Sequence, residues 1–149
     1  MGGGYKLLIM SNTSKIPAKI AVYSDDRTVR ETIMAALGRR LADDLPDLAY
    51  VEFATADALR LHNDSRKSRT DFDLFILDGE ATPEGGMGLS RELKDELFNC
   101  PPVLLITGRA DDAWLASWSL ADGVVTHPID PFTIATKVTE LLRKKLALA

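Results

Sequence analysis

From Lys19 onward, short apolar runs alternate five times with longer amphipathic segments, and no other feature constrains the fold as strongly. Strand-length runs alternating with helix-length segments are the mark of βα units assembled on a parallel sheet. Strands are predicted over residues 20–24, 49–54, 74–78, 103–107 and 124–126, and helices over 28–41, 56–62, 89–98, 112–121 and 131–146. Near-continuous hydrophobicity in LFIL and VLLI implies strands covered on both faces, as in a doubly wound α/β sandwich. The expected sheet has five parallel strands in the order 2-1-3-4-5. The polar stretch 62–71 is the only long connection, and its Arg66, Lys67 and Arg69 fit a solvated loop.

The 149 residues, 46% of them apolar, suffice for one core and are too few for two ordinary domains. A net charge of -4 argues against a partner bound by covering nucleic-acid phosphates with Lys and Arg. Cys100 is the only cysteine, so no internal disulfide forms, no Cys/His set has zinc spacing, and a reducing cytoplasm is expected. The longest early apolar run, LLIM at 7–10, is too short for an export signal or a membrane span, so no membrane association is expected. Residues 1–18, with three consecutive glycines, lack periodicity and read as an extension, native or added, ahead of one domain at 19–146.

In open parallel sheets the functional crevice lies beyond the carboxyl ends of the strands. Strand one ends in Ser24, Asp25 and Asp26, strand three at Asp78, strand four in Thr107 and Gly108, and strand five leads to His127 and Pro128. These residues should converge on one patch. The segments IAVYSDDRTVR, DLFILD, VLLITGR and THPIDP, taken together, resemble the response-regulator receiver (CheY-like) family from about Lys19 to Leu146. A narrower resemblance, through LDGEA…GGMG and TGR…DAWLASWS, is to atypical stand-alone actinobacterial receivers.

The resemblance implies a flavodoxin-like fold and a signalling role in two-component phosphorelays rather than classical enzyme turnover. Asp78 would accept a phosphoryl group, Thr107 would hydrogen-bond it, and Gly108 would leave room beside it. Asp25, Asp78 and the backbone carbonyl of Glu80 would hold Mg²⁺. Phosphoryl transfer relies on positioning and charge neutralisation, which explains a carboxylate nucleophile beside a hard cation. The implied partner is a protein, a sensor histidine kinase or phosphotransfer protein, with a homodimer as a further option.

Three family positions are substituted. With Arg30 in register, Ser24 replaces the first acidic residue of the pair, which weakens the expected metal site. His127 replaces the phosphoryl-pairing lysine, and an imidazole of ordinary pKa about 6.5 is mostly neutral near pH 7. Val124 replaces the aromatic residue that reports the switch. The loop GEATPEGGMG is one residue longer than usual between Asp78 and its proline side. These changes keep a phosphorylation-independent pseudo-receiver open.

Blander readings compete at several positions. Asp78 could simply end a strand, Asp25 or Asp26 could cap a helix, with Asp26 the better candidate, and Thr107 and His127 could be a strand and a turn residue. Gly85, Gly86 and Gly88 complete no phosphate fingerprint and suggest loop flexibility. Trp114 and Trp118, spaced i, i+4, share one side of the fourth helix, either as core or as an exposed protein interface. From other classes, DGEAT resembles the nucleophile motif of haloacid-dehalogenase-type phosphatases with Glu80 as the acid, although no later paired acids or cap are present. A flavodoxin-like cofactor binder is disfavoured by carboxylates in the first loop.

Overall fold

A computed structural model describes residues 16–64, 68–108 and 113–147 of the chain. Five strands, β1 (Ala18–Tyr23), β2 (Leu48–Phe53), β3 (Leu74–Asp78), β4 (Val103–Thr107) and β5 (Gly123–Thr126), alternate with five helices. These are α1 (Arg27–Leu37), α2 (Ala56–Asp64), α3 (Gly86–Glu96), α4 (Ala113–Trp118) and α5 (Pro131–Ala147). All strand pairs are parallel, in the order β2-β1-β3-β4-β5. This is the expected doubly wound sheet.

Side chains alternate across a strand, so each central strand feeds two cores. Ile20, Val22, Leu74, Ile76, Leu104 and Ile106 meet Ile33 and Leu37 of α1 and Ile134, Val138 and Leu142 of α5. Ala21, Tyr23, Phe75, Leu77 and Leu105 meet Leu59 of α2, Leu89 and Leu93 of α3 and Ala116 of α4. Every residue of β3 and β4 is buried, which accounts for the apolar runs that mark them. β5, at the edge of the sheet, alternates buried and exposed residues.

Several boundaries differ from the sequence expectation. Ala18, assigned to the extension, is buried in β1, its N–H donating to the Asp47 carbonyl. α1 stops at Leu37 rather than at residue 41, because Gly38 takes φ 65° and its N–H caps the Met34 carbonyl. A left-handed glycine after the last turn ends a helix however helical the next residues are. α4 stops at Trp118 rather than at residue 121, where Leu120 takes φ 64° and its N–H turns back to the Ser117 carbonyl. Residues 1–15, the loop residues Arg66 and Lys67, and the expected helix start at Asp112 lie outside the described residues.

α3 begins at Gly86, three residues before the expected start at 89. The glycines are therefore not a flexible loop. A Cβ on Gly86 would stand 2.9 Å from the Asp78 carbonyl carbon and oxygen and 2.9 Å from the Leu77 Cβ. Glycine lets the first turn of α3 press against the end of β3, the strand that carries Asp78.

Candidate functional site

The carboxyl ends of β1, β3, β4 and β5 share one rim of the sheet, and an open crevice there is lined by Asp25, Asp26, Val29, Asp78, Glu80, Gly108 and His127. Asp78 ends β3 and is 3% exposed. A carboxylate taken out of water needs hydrogen-bond donors, and three protein groups approach its two oxygens. The Ser24 hydroxyl donates to Oδ2 at 2.8 Å, the Glu80 backbone N–H donates to Oδ1 at 2.9 Å, and His127 Nε2 lies 3.0 Å from Oδ1. Ser24 is fully buried, and its Oγ also accepts the Asp26 N–H at 3.1 Å. A serine thus offers Asp78 a donor at the position where a second carboxylate would repel it.

Asp25 is exposed, and both of its oxygens face the loop between β3 and α3. The Thr82 N–H donates to Oδ1 at 3.0 Å and the Thr82 hydroxyl to Oδ2 at 3.1 Å. Asp26 caps α1, its carboxylate accepting the Thr28 N–H at 2.8 Å, as the sequence suggested. Arg30 donates to the Ser24 carbonyl at 2.7 Å and pairs with Glu52 at 3.0 Å, fixing the end of β1 against β2.

The same loop is fastened at a second point that the sequence did not reveal. The Tyr23 hydroxyl donates to the Glu84 carbonyl at 2.5 Å, while the Glu84 carboxylate pairs with Arg60 of α2. Arg60 also meets Glu92 of α3 at 2.7 Å and Asp57 at 3.0 Å. Hydrogen bonds donated to Glu92 and Glu84 raise the guanidinium pKa further above its ordinary value. Burial first, then the charges of Glu84 and Asp25, raises that of the Tyr23 phenol. Apart from Asp57, one helical turn from Arg60, these partners lie 24 to 61 residues apart in sequence, so spacing alone carries no sign of them.

Thr107 is buried at the end of β4, and its carbonyl accepts the His127 N–H at 2.8 Å. The space beside Gly108 is taken by the Glu80 carboxylate, which a Cβ at that position would strike. Asp25 and Asp78 are hard oxygen donors lining one crevice and so suit Mg²⁺ in type. Each of their four carboxylate oxygens already faces a protein donor, however. Among the described residues no three His, Cys, Asp or Glu groups are arranged as a metal cluster. A cation entering here would share the Asp25 oxygens with the Thr82 donors.

Away from the crevice, Trp114 and Trp118 are 70% and 48% exposed, while Ala116 and Ser119 take the buried side of this region. The Arg91 guanidinium lies over the Trp118 ring at 5.7 Å and donates to the Trp118 carbonyl at 3.0 Å. Val124 on β5 and Phe132 on α5 are exposed as well. Both indoles therefore lie at the surface and not in the core. No helix among the described residues is long and apolar enough to cross a membrane.

No protein-family profile matches the chain. An uncharacterized response regulatory protein of Mycobacterium tuberculosis strain H37Rv is 54% identical over 130 residues, covering 87% of this chain and 95% of that one. A protein of the same description from strain CDC 1551 matches equally. Among solved structures, a CheY-like response regulator receiver domain protein from Methanospirillum hungatei JF-1 superposes with a TM-score of 0.68 at 17% identity, over 90% of this chain and all of that one. A LuxR-family two-component response regulator from Aurantimonas sp. SI85-9A1 gives 0.65 at 26% identity over 87% of each chain. The beryllofluoride-activated DrrB receiver domain gives 0.66 at 22% identity over 86% of this chain and 99% of that one.

Proposed function

The chain belongs to the response-regulator family and has the CheY-like receiver fold, and from that premise we propose that it receives a phosphoryl group on Asp78 in two-component signalling. The observation that carries this reading is the placement of Asp78. It ends the central strand β3, is held by Ser24, Glu80 and His127, and opens on the strand-end crevice. In the step proposed, an Asp78 carboxylate oxygen attacks the donor's phosphorus, the bond from phosphorus to the donor breaks, and an acyl phosphate forms. The donor is a phosphohistidine of a kinase or phosphotransfer protein, whose imidazole leaves, or acetyl phosphate, whose acetate leaves.

Asp25, Asp78 and the Glu80 carbonyl would hold Mg²⁺, which when bound neutralises charge on the transferring group. With Ser24 in place of a carboxylate and Thr82 competing for Asp25, that binding is weak. Thr107 lies at the end of β4 as the hydroxyl assigned to the phosphoryl group. His127 supplies a ring nitrogen to Asp78 where a fixed ammonium would otherwise stand. Output passes through a protein partner at the side bearing Trp114 and Trp118, since exposed aromatic side chains make strong interface anchors. The cytoplasm is the compartment in which this signalling operates.

A second reading is favoured by one observation: protein donors already approach every carboxylate oxygen of Asp25 and Asp78. On that reading the chain is a pseudo-receiver, fixed in one state without phosphorylation. Incubation with acetyl phosphate and Mg²⁺, followed by intact mass, separates the two. The phosphoreceiver gains one phosphoryl mass that Asp78→Asn does not, whereas the pseudo-receiver gains none.

A further inference from the structure

The loop between β3 and α3 runs from Gly79 to Gly85 and carries Glu80, whose backbone N–H donates to Asp78 Oδ1 at 2.9 Å. At its start the Gly79 N–H donates to the Ile106 carbonyl at 2.7 Å. In its middle the Thr82 N–H and hydroxyl rest on Asp25. At its far end two side chains from outside the loop hold Glu84. The Tyr23 hydroxyl donates to the Glu84 carbonyl at 2.5 Å, and the Arg60 guanidinium pairs with the Glu84 carboxylate and with Glu92 at 2.7 Å. A Cβ on Gly85 would stand 2.8 Å from the Gly79 carbonyl oxygen, so the loop closes on itself and a shift at Glu84 is felt beside Glu80.

We propose that Tyr23 and Arg60 are positioning residues for phosphoryl acceptance, which keep Glu80 against Asp78 while a cation shares Asp25 with Thr82. The proposal rests on the receiver reading of Asp78. Metal loosens the Thr82 contact, because a cation on Asp25 draws on the same two oxygens. The hold on Glu84 uses none of the atoms assigned to the metal, so it persists when the cation enters and limits how far the loop moves. Both residues suit the task. The Tyr23 ring is 1% exposed, fixed in the core beside its own strand, and aims a single hydroxyl at the loop. Arg60 spans two carboxylates on different elements, Glu84 in the loop and Glu92 on α3, with one rigid fork.

Charge and position predict opposite effects at Arg60. A guanidinium near the crevice repels Mg²⁺, so on electrostatics alone its removal tightens metal binding. Loss of a positioning residue weakens that binding, because the Glu80 carbonyl and Asp25 are no longer held together. Tyr23→Phe changes no charge and isolates the positional effect.

The test compares the unaltered chain with Tyr23→Phe, Arg60→Met and Arg60→Lys. In metal-free protein, hydrogen exchange at the Glu80 and Thr82 amides should quicken by about three- to tenfold in Tyr23→Phe and Arg60→Met, the span that one hydrogen bond covers, while Leu105 in β4 is unchanged. With beryllofluoride present, the Mg²⁺ midpoint read from the Glu80 amide should rise by about three- to tenfold in the same two variants. Arg60→Lys, which keeps the charge without the fork, should fall between Arg60→Met and the unaltered chain. Arg143→Met, which removes a cation paired with Asp44 away from the crevice, should change neither quantity. Unchanged exchange at Glu80 in Tyr23→Phe, faster exchange with an unchanged Mg²⁺ midpoint, or tighter Mg²⁺ binding in Arg60→Met would each overturn the proposal. If Arg60→Met does not fold, Tyr23→Phe decides alone. An unaltered chain that takes up no beryllofluoride overturns the receiver reading and this proposal with it, whereas one that responds fully while Tyr23→Phe responds equally overturns the positioning role alone.

Discussion

At the scale of residues, the site turns on what surrounds Asp78. Ser24 gives it a hydrogen bond at 2.8 Å where an acidic residue would give repulsion, so Ser24→Asp should act in opposite directions with and without metal. Two buried carboxylates in contact destabilise one another, so the variant should melt lower in EDTA. A third anionic ligand should also tighten Mg²⁺ binding by about tenfold, read from the metal-induced shifts of the Gly79 and Glu80 amides. A variant that binds Mg²⁺ no better would show that residue 24 does not face the cation. Cys100 gives a second check, because burial pushes its thiol up to about 11 from 9.0. Less thiolate means slower attack, so alkylation near pH 8 should be at least about tenfold slower in the folded protein than in urea. The linkage sign follows from the raised pKa: whatever stability the neutral thiol contributes is present below pH 9 and is lost as pH rises through about 11. The placement of Asp78 and Thr107 at the ends of apolar strands, and of Asp25 two residues beyond β1, was legible from the apolar runs. The Thr82 clasp on Asp25 and the hold of Arg60 on Glu84 were not, since each joins residues far apart in sequence.

At the scale of elements, local propensity and tertiary contact disagree most in α3. Two glycines stand inside its first turn, and propensity alone sets the start of the helix after them. Gly86 is required by its closeness to β3, whereas a Cβ on Gly88 would meet nothing within 4 Å. The two alanine substitutions should therefore differ in sign. Gly88→Ala should stabilise by about 0.5–1 kcal/mol through helix propensity alone. Gly86→Ala has the same helix gain but must push α3 off the Asp78 carbonyl, and overpacking of that kind costs about 1–3 kcal/mol, so the net effect should be destabilising. Urea unfolding of the two variants measures both, and equal stabilisation would remove the packing argument. The ends of α1 and α4 were misplaced for a related reason. The positive φ at Gly38 and at Leu120 is a backbone choice that side-chain periodicity does not encode.

At the scale of the whole molecule, the parallel sheet follows directly from five repeats of apolar run and amphipathic segment, because burial on both faces demands that pattern, and the strand order is the expected one. The central strands contribute most of the cohesion. Leu104, fully buried in β4, should cost about 2–5 kcal/mol when cut to alanine, measured by urea unfolding. The exposed face behaves differently. Trp114→Ala should leave stability within about 0.5 kcal/mol, because its ring is mostly in water, while removing the anchor proposed for a partner. A large loss of stability in that variant would mean that the indole packs inward.

The account stands or falls on Asp78 as a competent acceptor. Beryllofluoride, added with saturating Mg²⁺ and followed by backbone NMR, occupies an acceptor carboxylate without turnover. The account predicts saturable shifts at Ser24, Glu80, Thr107 and His127 that are absent in Asp78→Asn. Unchanged spectra of the unaltered chain would contradict it and leave the pseudo-receiver in its place.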